Sequence, residues 1–373
     1  MIRFLTGGES HGESLTGIID GIPANLYLDI GYINNELKRR QMGFGRSVRM
    51  QIESDEVNIL SGVINGFTTG SPIAIGVKNR GTNIELVEVT KPRPGHGDLV
   101  GALKYNQKGG RNILERASAR ETAIRVALGS ICKLFLREFN INIYSHVINI
   151  GGVDSNINYY NGLETEELMK ADESSIRVIG KLSEEKIINK IKEAKEEGDT
   201  LGGIIEIIVK NTPVGLGSHT NWDTKLDGRL AAAIMGIQGI KGVEFGLGNI
   251  SAFVLGSEFH DEIFYDAKYR RKTNNAGGIE AGISNGEDIV LKATMKPIPT
   301  LRKPLETVDM MTKEKSIAQF ERSDVCAVPS ASIVCESMVA YIIADELVKK
   351  FGGDSLEEIK MNCNNYLKYL EGR

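Results

Sequence analysis

The sequence predicts an α+β fold carried by one large domain over residues 1–373. Three observations predict it. Strand-like and helix-like segments come in runs, without the regular βαβ alternation of a parallel sheet. No clear linker divides the chain. Its 373 residues, 41% hydrophobic and 25% charged, are enough to bury a large core.

The first 80 residues read as short strands and turns: RFLTG, LTGIIDGIP, VRMQIES, VNILSGV and SPIAIGVKN, each bounded by Gly, Pro, Asp or Asn. A helix interrupts them from Asp29, a candidate N-cap, to about Met42. Residues 80–112, rich in Pro, Gly, Lys and Arg, read as loop. From Arg116 to about Phe139 the chain reads as a long helix. Ala123, Ile124, Ala127, Leu128, Ile131, Leu134 and Phe135 recur at the three- and four-residue spacing of one apolar face. Residues 141–151 return to strand, and SEEKIINKIKEAKEE (183–197) is a charged amphipathic helix. GGIIEIIVKN reads as a strand and LDGRLAAAIMGI as a buried small-residue helix. Further strands are expected through 250–297. SIVCESMVAYIIADELVKKFGG closes as a helix, with Gly352 and Gly353 past its end. IAIGVKN and IEIIVKN are alike, but too short to establish a duplication.

A net charge of −4 and a pI near 5.9 argue against a general nucleic-acid binder. Four cysteines, far apart and without a CxxC pair, suit a reducing compartment and give no zinc spacing. No apolar run suits a signal peptide or a bilayer span, so a cytoplasmic address is expected. No Rossmann glycine fingerprint, Walker A sequence, HExxH or other metal cluster is present, and no metal is expected.

Against that acidic background, arginine and histidine gather beside Gly, Pro and Ser. In GGRNILERASARETA (109–123), Arg111, Arg116 and Arg120 crowd a helix start, where unpaired N–H groups already favour anions. Either Glu115 and Glu121 neutralise them, or an anion binds there. GESHG (8–12) fits the pattern of a serine nucleophile elbow, but Gly and Pro interrupt what should be the following helix. What remains is His11 on a glycine-flanked turn. KPRPGHGD (91–98) puts His96 in a stiff loop between Arg93 and Asp98, and both histidines are candidates for proton transfer. RRQMGFGRSVR (39–49) carries Arg39, Arg40, Arg46 and Arg49, and FERSDVCAVPSAS (320–332) sets Arg322 beside Asp324. Each taken alone reads as a solvated turn or a local ion pair. Together they fit a small polyanionic substrate, since guanidinium forks suit carboxylates and phosphates. An RNA-binding module would need interleaved aromatics that these loops lack.

In this order, GESHG, RRQxGxGR, RPGHxD, ERxSARET, WDxKLD, KGVEFGxG, TNNxGGxExGxSNG, MKPIPTL and ERSD with AVP close behind resemble the chorismate synthase family over residues 7–330. The resemblance implies helices sandwiched between antiparallel β-sheets, in a homotetramer. It implies a lyase that converts 5-enolpyruvylshikimate 3-phosphate to chorismate by 1,4-anti elimination of phosphate. Reduced FMN is required although there is no net redox change. By the same resemblance His11 serves the leaving phosphate, His96 keeps the reduced flavin correctly protonated, and Asp324 assists proton removal. Ser10, Arg39, Arg46, Arg93, Arg120 and Arg322 match substrate positions. Arg116, Ala117, Ser118, Gln238, Gly239, Ala281, Lys296, Pro297, Ile298, Pro299, Thr300 and Arg322 match FMN positions. Arg40 and Arg46 match positions assigned to NADPH in members that reduce their own flavin. Two departures stand out: Ala117 replaces a common serine, and the stretch from Lys78 to RPGH is short. A protein that kept the fold but lost the reaction would be expected to have lost His11, His96 or Asp324, and all three are present.

Overall fold

The computed structural model describes residues 1–44, 55–80, 87–321 and 323–373. VRMQIES lies outside the described residues. Strands β1 (Arg3–Gly7), β2 (Ser14–Asp20), β3 (Val57–Ile59) and β4 (Ile73–Lys78) form an antiparallel sheet in the order β1-β2-β4-β3. Its register sets Arg3 opposite Asp20 and Leu15 opposite Val77. Leu15, Ile19, Ile73, Ile75 and Val77 point inward and are fully buried, as period-two alternation requires.

The second antiparallel sheet is built from β5 (Asn142–Ile150), β6 (Val153–Asp154), β7 (Gly203–Lys210), β8 (Ile240–Phe245) and β9 (Ile289–Met295), ordered β8-β9-β7-β5-β6. Between the sheets lie helices α1 (Ile30–Gln41), α4 (Thr122–Arg137) and α7 (Val328–Phe351). Helices α2 (Asp98–Lys104) and α3 (Arg111–Ala117) precede α4 in the chain. Helices α5 (Lys181–Glu196) and α6 (Leu226–Met235) follow it, and α8 (Leu356–Glu371) closes the chain. One continuous apolar core joins both sheets to the helical layer.

Two glycines set how closely the layers approach. A Cβ on Gly17 would stand 2.9 Å from Ile124 and Leu128, so α4 lies directly on β2. A Cβ on Gly129 would come within 2.4 Å of Ser337, where α4 crosses α7. Helix α4 is therefore enclosed on more than its expected face: Val126, Cys132 and Leu136 are buried as well.

The helical layer also buries charge. Arg39 binds Glu36 and Glu336 (both 2.8 Å), and Lys133 Nζ stands 2.5 Å from each of those carboxylates. Arg177 joins Glu336 (3.2 Å) and Asp172. Buried carboxylates need such partners. Burial alone would raise the Glu336 pKa, but Arg39, Lys133 and Arg177 outweigh it and hold the group well below the usual carboxylate range.

The two ends of the chain are stitched together. Ile2 N–H donates to Asp345 Oδ1 (2.6 Å), Phe4 packs edge-on against Tyr341, and Ala24 exchanges main-chain bonds with Asp354 and Leu356.

The expected helix over Arg116–Phe139 is corrected in one respect. Helix α3 begins earlier, at Arg111, and ends at Ala117. Ser118 is extended (ψ 141°), and a 3-10 turn, Ala119–Glu121, leads into α4. The loop expected over 80–112 contains α2, and α8 was not anticipated. Within 250–297, residues Gly248–Phe253 and Gly256–Phe259 are helical turns rather than strands.

Candidate active site

The turn between β1 and β2 presents His11. Gly8 has φ +108°, and a Cβ there would stand 2.5 Å from Ser14 O, so the turn requires glycine. The last turn of α3 grips it from below. Ser10 N–H donates to Glu115 O (2.9 Å), and His11 N–H donates to Glu115 Oε2 (2.9 Å). The imidazole Nδ1 lies 3.0 Å from Glu115 Oε1, and Ser118 Oγ reaches Ser10 Oγ at 3.1 Å. The kink at Ser118 lets the end of α3 and the start of the 3-10 turn face the same loop.

Across the opening, the RPGHGD loop builds a second histidine–carboxylate pair. His96 Nδ1 lies 2.6 Å from Asp98 Oδ1, and Arg93 Nε donates to Asp98 Oδ2 (2.8 Å). Arg93 Nη1 donates to Thr300 Oγ1 (2.8 Å), which ties this loop to the PIPT segment. Burial opposes ionisation of Asp98, yet hydrogen bonds and charge from His96 and Arg93 hold its carboxyl well below the usual range.

These loops surround a cavity of about 1010 Å³. Its wall brings together Ser10, His11, Arg40, Arg93, His96, Ala117, Ser118, Arg120, Gln238, Gly239, Lys296, Pro297, Ile298, Pro299, Thr300 and Asp324. The guanidiniums are braced from behind. Arg120 donates to Asn79 Oδ1 and Asp55 (both 2.8 Å), and Arg40 Nη2 to Asp55 (3.2 Å). Gln238 Nε2 donates to Glu121 (3.2 Å), and its Oε1 is buried with no hydrogen-bond partner among the described residues. Lys296 Nζ donates to Gly95 O; partial burial and the nearby Lys241 lower its pKa.

Three expected residues lie outside this wall. Arg39, one step from Arg40, turns into the buried ion cluster of the helical layer. Arg116 braces β1, donating to Thr6 O (2.9 Å) and Gly8 O (3.1 Å). Ala281 occupies a positive-φ turn (+51°) between two short strands, Ile279–Glu280 and Ile283–Ser284. Arg46 and Arg322 lie outside the described residues.

Of the crowded arginines, Arg111 and Arg120 reach the wall. An acid is already in place at the start of α3: Glu88 accepts the Arg111 N–H (3.0 Å), while Arg111 Nη2 donates to Glu321 (2.8 Å). Asn79, Arg80 and Glu321 also line the cavity and were not anticipated. Asn79 follows strand β4, and nothing in its local sequence marks it.

Comparison with known proteins gives one consistent result. The family model described as chorismate synthase matches residues 2–348. The chain is 53% identical over 375 residues to the chorismate synthase of Caldanaerobacter subterraneus, covering 99% of each chain. Against that of Alkaliphilus metalliredigens the identity is 54% over 380 residues, covering 98% of this chain and 99% of the relative. A crystal structure of chorismate synthase superposes with a TM-score of 0.83 at 43% identity, covering 100% of this chain and 99% of the other.

Proposed function

The chain belongs to the chorismate synthase family, lyases of the shikimate pathway, and we propose that it converts 5-enolpyruvylshikimate 3-phosphate to chorismate and phosphate with reduced FMN. The observation that carries this reading is the cavity wall, where two carboxylate-held histidines flank braced arginines. Guanidinium groups and the Ser10 and Ser118 hydroxyls suit a substrate with two carboxylates and a phosphate.

The residues present also fit FMN. The volume lies at the upper end of small-molecule sites, roughly 300–1,000 Å³, leaving room for a flavin beside the substrate. The unpaired Gln238 Oε1 offers an acceptor to a ring N–H, and Ser118, Lys296 and Thr300 offer donors to its phosphate. Reduced FMN, when bound, supplies electron density to the substrate ring as phosphate departs. His11 then delivers a proton to the leaving phosphate from Nε2. His96, held by Asp98 and beside Arg93, would keep the reduced flavin correctly protonated, and Asp324 would take part in removing the ring hydrogen. Polarisation at the leaving group is worth several kcal/mol in such sites.

A homotetramer is part of the proposal. Leu5 (75% exposed), Ile18 (44%) and Leu60 (58%) stand on the outward side of the first sheet, an apolar face that assembly would cover. A cytoplasmic address is supported by four unpaired, buried cysteines. Among the described residues no helix is long and apolar enough to cross a membrane.

An anaerobic assay with substrate and chemically reduced FMN tests the function. Chorismate and phosphate should appear together, and oxidised FMN alone should give neither. Folded wild type that binds FMN and yields no chorismate would overturn the reading. Adding NADPH to the oxidised-FMN reaction tests self-reduction, in which Arg40 would take part.

A further inference from the structure

Glu115 sits in the last turn of α3 with its side chain 6% exposed, directly beneath the turn that carries His11. Its main-chain carbonyl holds Ser10, one carboxylate oxygen holds the His11 N–H, and the imidazole Nδ1 lies 3.0 Å from the other. Arg111 stands 3.7 Å behind the same carboxylate.

We propose that Glu115 is the positioning residue for His11, fixing both the ring orientation and the nitrogen that carries the proton. This rests on the lyase reading of the cavity. An ionised carboxylate only accepts hydrogen bonds, so Nδ1 must be the donor. The neutral ring is thereby held with its proton on Nδ1, whereas a free imidazole favours Nε2. Nε2 is left open to the cavity, and protonation creates a donor there and nowhere else. When His11 is doubly protonated, Glu115 supplies the adjacent negative charge; when the proton passes to a phosphate oxygen, the ring returns to the Nδ1–H form. A carboxylate that orients a histidine in this way sets which nitrogen works, without touching the substrate.

The competing account is that Glu115 only staples the turn. Its carbonyl bond to Ser10 persists in every side-chain variant, but the carboxylate's bond to the His11 N–H is lost in Glu115→Ala, so the tautomer is what separates the two. The first readout is the tautomer of His11 by nitrogen-15 NMR on the ligand-free full chain, among five histidines and assigned with His11→Gln. Wild type should show neutral His11 protonated on Nδ1, and Glu115→Ala should move that proton to Nε2. The second readout is turnover. Glu115→Ala should lower kcat roughly ten- to a hundredfold, part of the contribution of an aligned general acid, with KM within about threefold. Glu115→Gln keeps a neutral acceptor and should recover part of both. Wild-type His11 found in the Nε2–H form would overturn the proposal, as would a Glu115→Ala variant with unchanged tautomer and kcat. Should Glu115→Ala not fold, wild type and Glu115→Gln decide the matter. Wild type that shows the Nδ1–H form yet yields no chorismate would sink the lyase reading and leave the positioning intact.

Discussion

Among the described residues, two regions contain histidine bound to a carboxylate, and they differ in whether that histidine can meet a ligand. In the cavity wall, His11 and His96 each turn Nδ1 toward an acid and line the opening, His96 with Arg93 Nη2 3.4 Å from its Nε2. In the five-stranded sheet, His146 on β5 lies directly opposite Glu206 on β7, with both side chains 0% exposed. There Nε2 faces the carboxylate (2.9 Å), Tyr159 N–H adds a second bond to it (2.7 Å), and Nδ1 has no partner among the described residues. The pairing chemistry is the same and the outlets differ. A carboxylate makes a histidine useful when it takes the buried nitrogen and leaves the accessible one; otherwise it completes a core.

The largest expected effect separates these regions. His11→Ala or His96→Ala should each cut kcat roughly 10²–10⁴-fold with a smaller loss of stability, since Glu115 keeps the His11 N–H and Arg111, and Asp98 keeps Arg93. His146→Ala should do the reverse: about 3 kcal/mol of stability lost, because Glu206 is left buried with the Tyr159 N–H in place of its full set of partners, with turnover per folded molecule preserved. A fall in kcat at unchanged stability in His146→Ala would break the comparison. Next comes the ion cluster of the helical layer. Glu336→Gln removes a charge shared by Arg39, Lys133 and Arg177, and should cost about 3 kcal/mol without altering KM.

The smallest effect concerns pH. Asp98 is held low in the folded state, so the folded protein binds fewer protons there than the unfolded chain. Its stabilisation is present at neutral pH, begins to fade near pH ~4, the unfolded value, and is lost as pH falls through the folded value. Asp98→Asn should cost about 2 kcal/mol at neutral pH and converge with wild type in acid, as unfolding measured at several pH values would show.

Much of this was legible in the sequence. Asp29 caps α1 as expected, accepting from Tyr32 N–H (3.1 Å), and LTGIIDGIP and SPIAIGVKN contain the strands β2 and β4 read there. The break at Ser118 was obscured by apolar spacing that runs on through it, although Ser118 and Glu121 spell the S-x-x-E of a helix start. The same spelling, Ser355 to Glu358, announces α8: Ser355 Oγ accepts the Glu358 N–H (3.2 Å). The two histidine loops were found because glycine and proline leave a histidine few structural duties. Which of the neighbouring Arg39 and Arg40 reaches the wall depends on long-range partners that no local pattern shows. Lys133, set within the apolar run SICKLFL, was a hint that acids wait inside.

The stitching of the chain ends has a consequence for synthesis. A ribosome delivers β1 and β2 long before Asp345 and Tyr341, which close over β1. Until then β1 lacks those partners, because a contact spanning 343 residues must wait for Asp345. A chain stopped before Val328 would lack α7 from the helical layer, so a late premature stop would leave an aggregating product rather than a weakened enzyme.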